Sequence, residues 1–357
     1  MGSDDVIFLL GAGASRDAGL KDSNQMTEEL ERKLTGSWRK YQKLYNAVKA
    51  GIVYGHTRHD GIVPASINIE ELVNVLTELA RCKEHPIYPF IASWNMELME
   101  TAGKDFELIT EFRKKIISIL VNEWINLQDP VSAGYYKGLQ RFSDKFGSGV
   151  CVFSLNYDMC IERACDKDSV FTGFLRESGH EGLVWNEDAM KQNVDQGIKL
   201  FKLHGSVNWR EQKDGRLVSY DSPRPCEDAN EYRLIFGTEN KLRYSEPYIF
   251  LLSAFREMAY RAKLIVCLGY SFHDSHINSL LSHAFRNQSP TRLLSVSWAD
   301  ERYRSKDEET EKDRIAKTLK VAPESVSVTM SGAKAFLEDE QSPERLMELM
   351  PTDDPLF

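Results

Sequence analysis

The chain has 357 residues, with 45 basic and 54 acidic side chains and a net charge of −9. Apolar residues make up 42% and charged residues 28%, an ordinary balance for a globular protein with a sizeable core. The acidic balance argues against a broad nucleic-acid surface, and no apolar run of about 18 residues suggests a membrane span.

The opening MGSDDVIFLLGAG has a short apolar run preceded by acidic residues, which is not the pattern of a signal peptide. A cytoplasmic protein without membrane or direct nucleic-acid partners is expected. Six cysteines are scattered with no CxxC pair, so neither a disulfide framework nor a structural zinc site is expected. Cys151 and Cys267 fall in apolar runs and read as buried thiols.

The first predicted element is Val6–Leu10, a continuous apolar run that suits a parallel strand buried on both faces. Gly11, Gly13 and Gly19 follow it in GAGASRDAGL. Residues 35–146 then read as a helical insertion. Within it, Asn68–Arg81 places Ile69, Leu72, Val73, Leu76 and Leu79 on one helical face. Asp105–Leu127 repeats the pattern with Phe106, Ile109, Phe112, Ile116, Leu120 and Trp124. Gly51–Pro64 reads as a loop between helices.

Strand-like runs resume at Val150–Leu155, Lys199–Leu203, Leu264–Leu268, Leu293–Trp298 and Ser325–Met330. Several are followed by helical stretches, which predicts an α/β fold with a Rossmann-like, doubly wound parallel sheet of about six strands. The core is assigned to 1–34 and 147–357, with the insertion between strands one and two. Asp300–Arg314 reads as an exposed loop or helix face.

Four stretches could carry chemistry. In the glycine loop, a strand end, a turn and a helix start would present backbone N–H groups to a phosphate, with Ser15 adding a hydroxyl. In SLNYDMCIERA, Asn156 and Asp158 follow the second strand, where open α/β sheets bind ligands. The competing reading makes Asn156 a helix cap and Asp158 a first-turn acid. In FKLHGSVNW, His204 closes a strand, a fitting place for a proton-transfer group, although a lone histidine is more often structural. In LIVCLGYSFHD, Gly269 and Ser271 could meet a phosphate or ribose, or could simply form a turn. His273, Asp274 and His276 lack convincing metal-ligand spacing, so no metal is expected.

The order GAGAS-x3-GL, NYD, HG, IFG (Ile235–Gly237) and GYS (Gly269–Ser271) resembles the sirtuin family across about half the chain. There are departures. Lys21-Asp22-Ser23 replaces the family's proline–acidic–phenylalanine–arginine stretch, and Leu155 replaces its glutamine. Between Gly205 and Phe236 a single cysteine, Cys226, stands where deacetylases of the family carry four zinc ligands. This combination resembles the bacterial SIR2-like NAD hydrolases of anti-phage defence, including the SIR2 subunits that assemble with a HerA-type ATPase.

The resemblance implies NAD as the substrate. Gly11, Ala12, Gly13, Ser15, Gly19, Gly237, Gly269 and Ser271 would bind it, and Asn156, Asp158 and His204 would be catalytic. It also implies a homo-oligomer, with a HerA-type ATPase or a phage-derived activator as partner. A protein deacylase and a non-catalytic NAD or ADP-ribose sensor are the alternatives.

Overall fold

The computed structural model describes residues 5–60, 67–81, 100–102, 106–192, 196–224, 232–234, 246–286, 291–298 and 307–351. In chain order the strands are β1 (Val6–Leu10), β2 (Val150–Ser154), β3 (Val170–Phe171), β4 (Phe174–Arg176), β5 (Leu183–Trp185), β6 (Ile198–Lys202), β7 (Gly205–Glu211), β8 (Leu217–Ser219), β9 (Tyr232–Leu234), β10 (Leu264–Leu268), β11 (Arg292–Val296) and β12 (Val326–Thr329).

Seven of them form one parallel sheet in the order β12-β11-β10-β1-β2-β6-β3. The six runs read from the sequence all become strands of it. The seventh, β3, is a two-residue edge. β1 lies at the centre, with Ile7 opposite both Ile265 and Cys151. All five of its residues are buried, as the continuous apolar run requires.

Alternate residues of β1, β2 and β10 feed two cores on opposite faces of the sheet. Val6, Phe8, Leu10, Val152 and Val266 share one with Tyr135, Tyr136, Phe142 and Phe336. Ile7, Leu9, Phe153 and Cys267 share the other with Phe255, Leu281 and Ile315. Helices therefore cover both faces, the doubly wound arrangement expected.

The connection between β1 and β2 holds α1 (Ser23–Thr35), α2 (Gln42–Asp60), α3 (Ile69–Ala80), α4 (Glu107–Ile119) and α5 (Gly138–Phe146). Helices α1 to α4 build a third core, containing Leu30, Tyr41, Leu72, Ile109, Phe112 and Trp124. Each such fully buried side chain contributes about 1.5–3 kcal/mol of transfer free energy. The 3₁₀ stretch Pro130–Lys137 and α5 instead pack on the sheet, so residues 35–146 divide between two cores.

Gly51–Asp60, expected as loop, is helical and continues α2. Leu44, Tyr45, Val48 and Ile52 lie on one face and are buried, and that packing outweighs the weak propensity of Gly51 and Gly55. Residues 61–64 lie outside the described residues.

A second sheet, not expected from the sequence, is antiparallel with the order β4-β5-β8-β7-β9. It hangs from the end of β6 through the turn at Leu203–His204.

Candidate functional site

The carboxyl ends of β1, β2, β6 and β10 meet at one point of the sheet. The glycine loop leaves β1 there and winds into a 3₁₀ helix, Ala12–Ala18. Gly11 N donates to Leu268 O and Gly13 N donates to Gly269 O, each at 3.0 Å. A Cβ on Gly11 or Gly13 would lie 2.7 or 2.8 Å from Gly269 O. These two glycines thus let the loop press against the end of β10. Gly19 has a different task. At φ 85° it ends the 3₁₀ helix, its N–H donating to Arg16 O and Ser15 O, with open space around it. Ala12 is exposed at the tip of the loop.

Ser15 is buried and faces inward. Its hydroxyl donates to Asp158 Oδ2 at 2.8 Å and accepts from Asn156 Nδ2 at 3.2 Å. Tyr136 Oη lies 3.0 Å away. A hydroxyl has one proton, and here it is directed at a carboxylate, so Tyr136 is the donor in that pair. Burial, followed by the nearby Tyr135, Cys160 and Asp158, drives the Tyr136 phenol well above its ordinary pKa and keeps it protonated. The capacity expected for a phosphate contact is occupied inside the protein.

Asn156 Nδ2 also donates to Gly11 O at 2.9 Å, tying the turn after β2 to the loop after β1. Asp158 Oδ1 accepts from Cys160 N at 2.9 Å, satisfying the first N–H of the short helix Cys160–Ala164. Asp158 therefore serves the helix start and holds Ser15 as well, while Asn156, the cap of the competing reading, bonds the glycine loop instead. Lys202, buried at the end of β6, donates to Asp158 O and lies 3.7 Å from Glu162. Burial holds the Glu162 carboxyl above its usual range despite this ammonium.

His204 sits in the turn between β6 and β7 and is 4% exposed. Neither ring nitrogen makes a hydrogen bond among the described residues. Asp274 Oδ2 lies 3.4 Å from Nε2. The other oxygen of Asp274 accepts from His276 N and Ile277 N at the start of the helix Ser275–Arg286, which fixes the carboxylate. A buried imidazole without a hydrogen bond, beside a fixed carboxylate, suits a group that meets a ligand or water. Gly269 adopts φ 59°, and Ser271 is exposed, with Oγ 3.1 Å from His273 Nδ1.

The structure thus gathers Gly11, Gly13, Ser15, Asn156, Asp158 and Gly269 into one bonded network, with His204 on the neighbouring strand end. Gly237 and the rest of the IFG motif lie outside the described residues. Tyr136, Lys202 and Asp274 were not singled out for these roles from the sequence. The available signals were Lys202 two residues before His204 on a buried strand, and an acid three residues after Ser271. Among the described residues no cluster of three or more His, Cys, Asp or Glu could hold a metal ion, and no helix is long and apolar enough to cross a membrane.

No curated protein matches the chain in sequence. Among solved structures, the chain is similar to a mutant Sir2 homologue in complex with 2′-O-acetyl ADP-ribose, at 13% identity and TM-score 0.42, covering 98% of this chain and 94% of that one. It is also similar to a Sir2 homologue–NAD complex, at 13% identity and TM-score 0.41, covering 96% and 90%. A third is Sir2Tm bound to a propionylated peptide, at 15% identity and TM-score 0.37, covering 96% and 92%. The family model described as SIR2-like domain matches residues 150–322, the stretch that holds Asn156, Asp158, His204, Gly269 and Ser271.

Proposed function

We propose that the protein hydrolyses NAD+ to nicotinamide and ADP-ribose. The observation that carries this reading is His204: a buried imidazole with no hydrogen bond at either nitrogen among the described residues, next to Asp274 and at the strand ends beside Asn156 and Asp158. The SIR2-like match over the same residues supports NAD as the substrate.

The bond to break joins C1′ of a ribose to a cationic nicotinamide. Its electron pair passes to the ring, which leaves neutral, so no general acid is required. Charge develops on the ribose as an oxocarbenium ion. The protein has to align the substrate and place a water on C1′. Asn156 is assigned to orienting that water and Asp158 to receiving the nicotinamide carboxamide. His204, with Asp274 Oδ2 3.4 Å from its Nε2, accepts the proton the water loses on attack. Gly11, Ala12 and Gly13 are assigned to the side of the pyrophosphate, with Ser15 holding Asp158 and Asn156 behind them, and Gly269, Ser271 and Gly237 to the rest of the dinucleotide.

The resemblance to SIR2-like defence proteins supports a wider role, depletion of NAD+ during phage infection. Such an activity must be held in check, by homo-oligomeric assembly or by a partner such as a HerA-type ATPase or a phage-derived activator.

The test incubates the full chain with NAD+, with and without an acylated peptide, and measures free nicotinamide and ADP-ribose. Turnover with NAD+ alone, lost in Asn156→Ala and His204→Ala, is expected. Turnover that needs the peptide would make the protein a deacylase. Tight NAD+ binding without turnover would make it a sensor.

A further inference from the structure

We propose that Tyr157 and Glu70 form a positioning pair through which the helical core holds the Asn156–Asp158 turn in its working geometry. The inference rests on the hydrolase reading for its kinetic part only.

The side chains of this turn point to opposite sides. Asn156 and Asp158 reach into the glycine-loop network, bonded to Gly11 O and Ser15. Tyr157, between them, is buried with Leu72, Ile109 and Trp124 in the core of α1 to α4. Met159 joins it there. One residue of the turn therefore belongs to the helical core, while its neighbours belong to the site.

The Tyr157 phenol donates to Glu70 Oε1 at 3.1 Å. Glu70 stands in the first turn of α3, and that helix end is itself fixed. Asn68 caps it by accepting from Glu70 N at 2.8 Å, and Ser23, at the start of α1, donates to Asn68 Oδ1 at 3.0 Å. The backbone of Tyr157 reaches the other catalytic element, its carbonyl accepting from Val207 N at 2.9 Å and Ser206 Oγ at 3.3 Å. Its ring centre lies 6.1 Å from that of His204. A single tyrosine thus joins α3, the Asn156–Asp158 turn and the strand that follows His204.

Burial, and then the charge of Glu70, drives the phenol well above its ordinary pKa, so it remains a donor. What Glu70 must supply is an acceptor oxygen at a fixed place. Glutamine keeps that oxygen and alanine removes it. Phenylalanine at 157 keeps the packing and removes only the hydroxyl.

The test compares the full-length protein with Tyr157→Phe, Glu70→Ala, Glu70→Gln and the Tyr157→Phe/Glu70→Ala double variant. Three quantities are measured: kcat and KM for NAD+, the thermal midpoint, and hydrogen exchange of the peptide covering residues 154–165. Misplacing a reacting group by a fraction of an ångström to an ångström costs about tenfold to a hundredfold in rate. Tyr157→Phe and Glu70→Ala are expected to lower kcat by about tenfold or more with KM little changed, and the double variant to be no worse than either. Glu70→Gln is expected to keep wild-type kcat. Exchange over 154–165 should quicken in the first two variants and not in Glu70→Gln.

Unchanged kcat and exchange in Tyr157→Phe, or additive losses, would overturn the pair. So would losses that simply follow the thermal midpoint. If the wild type turns over no NAD+, the hydrolase reading fails, and exchange over 154–165 alone decides the coupling.

Discussion

Gly13 and Gly269 pack backbone against backbone, and a Cβ on Gly269 would lie 2.1 Å from Ala14 N and 2.3 Å from the Gly13 carbonyl carbon. Gly269 also holds φ 59°, so an alanine there meets both strain and collision. Gly19, at φ 85° in open space, meets strain alone. Gly19→Ala is expected to lose about 1–2 kcal/mol, the penalty of a left-handed residue with a side chain. Gly269→Ala should add an overpacking cost of about 1–3 kcal/mol. Urea midpoints of the two variants check the order. Equal losses would mean that the loop can draw back from β10 without penalty.

His204 predicts a different split, between activity and stability. Its ring nitrogens make no hydrogen bond within the described residues, so its removal breaks no such bond. His204→Ala is expected to lower kcat for NAD+ hydrolysis by about 10²–10⁴-fold, the usual loss for a proton-transfer base. Any fall in stability should be no more than the packing lost. Asp274→Asn keeps the cap at the helix start but removes the charge 3.4 Å from Nε2, and a smaller fall in kcat is expected. Initial rates beside thermal melts separate the two effects. An active His204→Ala protein would remove the histidine from the chemistry.

The parallel sheet was legible because burial on both faces writes a continuous apolar run, as in Val6–Leu10 and Leu264–Leu268. Helix α3 was legible through its periodicity, with Ile69, Leu72, Val73 and Leu76 on one buried face. The second sheet was not, since β4, β5 and β8 are three residues each, too short to show alternation. Helix α2 was misread because Gly51 and Gly55 look like turn residues until Leu44, Val48 and Ile52 are seen to share a buried face. In the site, order along the chain pointed to Asn156, Asp158 and His204. It did not reveal that Ser15 faces Asp158 or that Asp274 faces His204. Those contacts span 143 and 70 residues of sequence and arise only when the strand ends converge.

Ser15 gives a third prediction. Its hydroxyl serves Asp158, Asn156 and Tyr136 together. Ser15→Ala leaves buried polar groups without a partner, which costs about 1–3 kcal/mol. Tyr136→Phe removes one donor to the same oxygen, so the double variant should lose less than the sum of the single losses. Denaturant curves for the four proteins measure the difference. Strict additivity would mean that Tyr136 and Ser15 act independently.

The last prediction concerns acid stability, through a group far from the site. Glu31 Oε1 accepts from Tyr45 Oη and Lys49 Nζ, both at 2.6 Å. Burial raises this carboxyl's pKa, but the two donors outweigh it and hold it below the usual 4.5. A carboxyl whose folded pKa is lowered releases its proton more readily in the folded state. Its contribution is therefore complete above pH 4.5 and fades as the pH falls through the lower folded value. The side chain is 42% exposed, so solvent screens the pair and its worth is that of a surface contact, up to about 1 kcal/mol. Glu31→Gln should be less stable than the wild type at neutral pH by that order. The gap should narrow as the pH falls below 4.5 and close once the pH is below the lowered folded value, where both chains carry an uncharged residue at this position. Urea midpoints at neutral and at acid pH measure it, and a gap that stays constant would remove Glu31 from the acid limb.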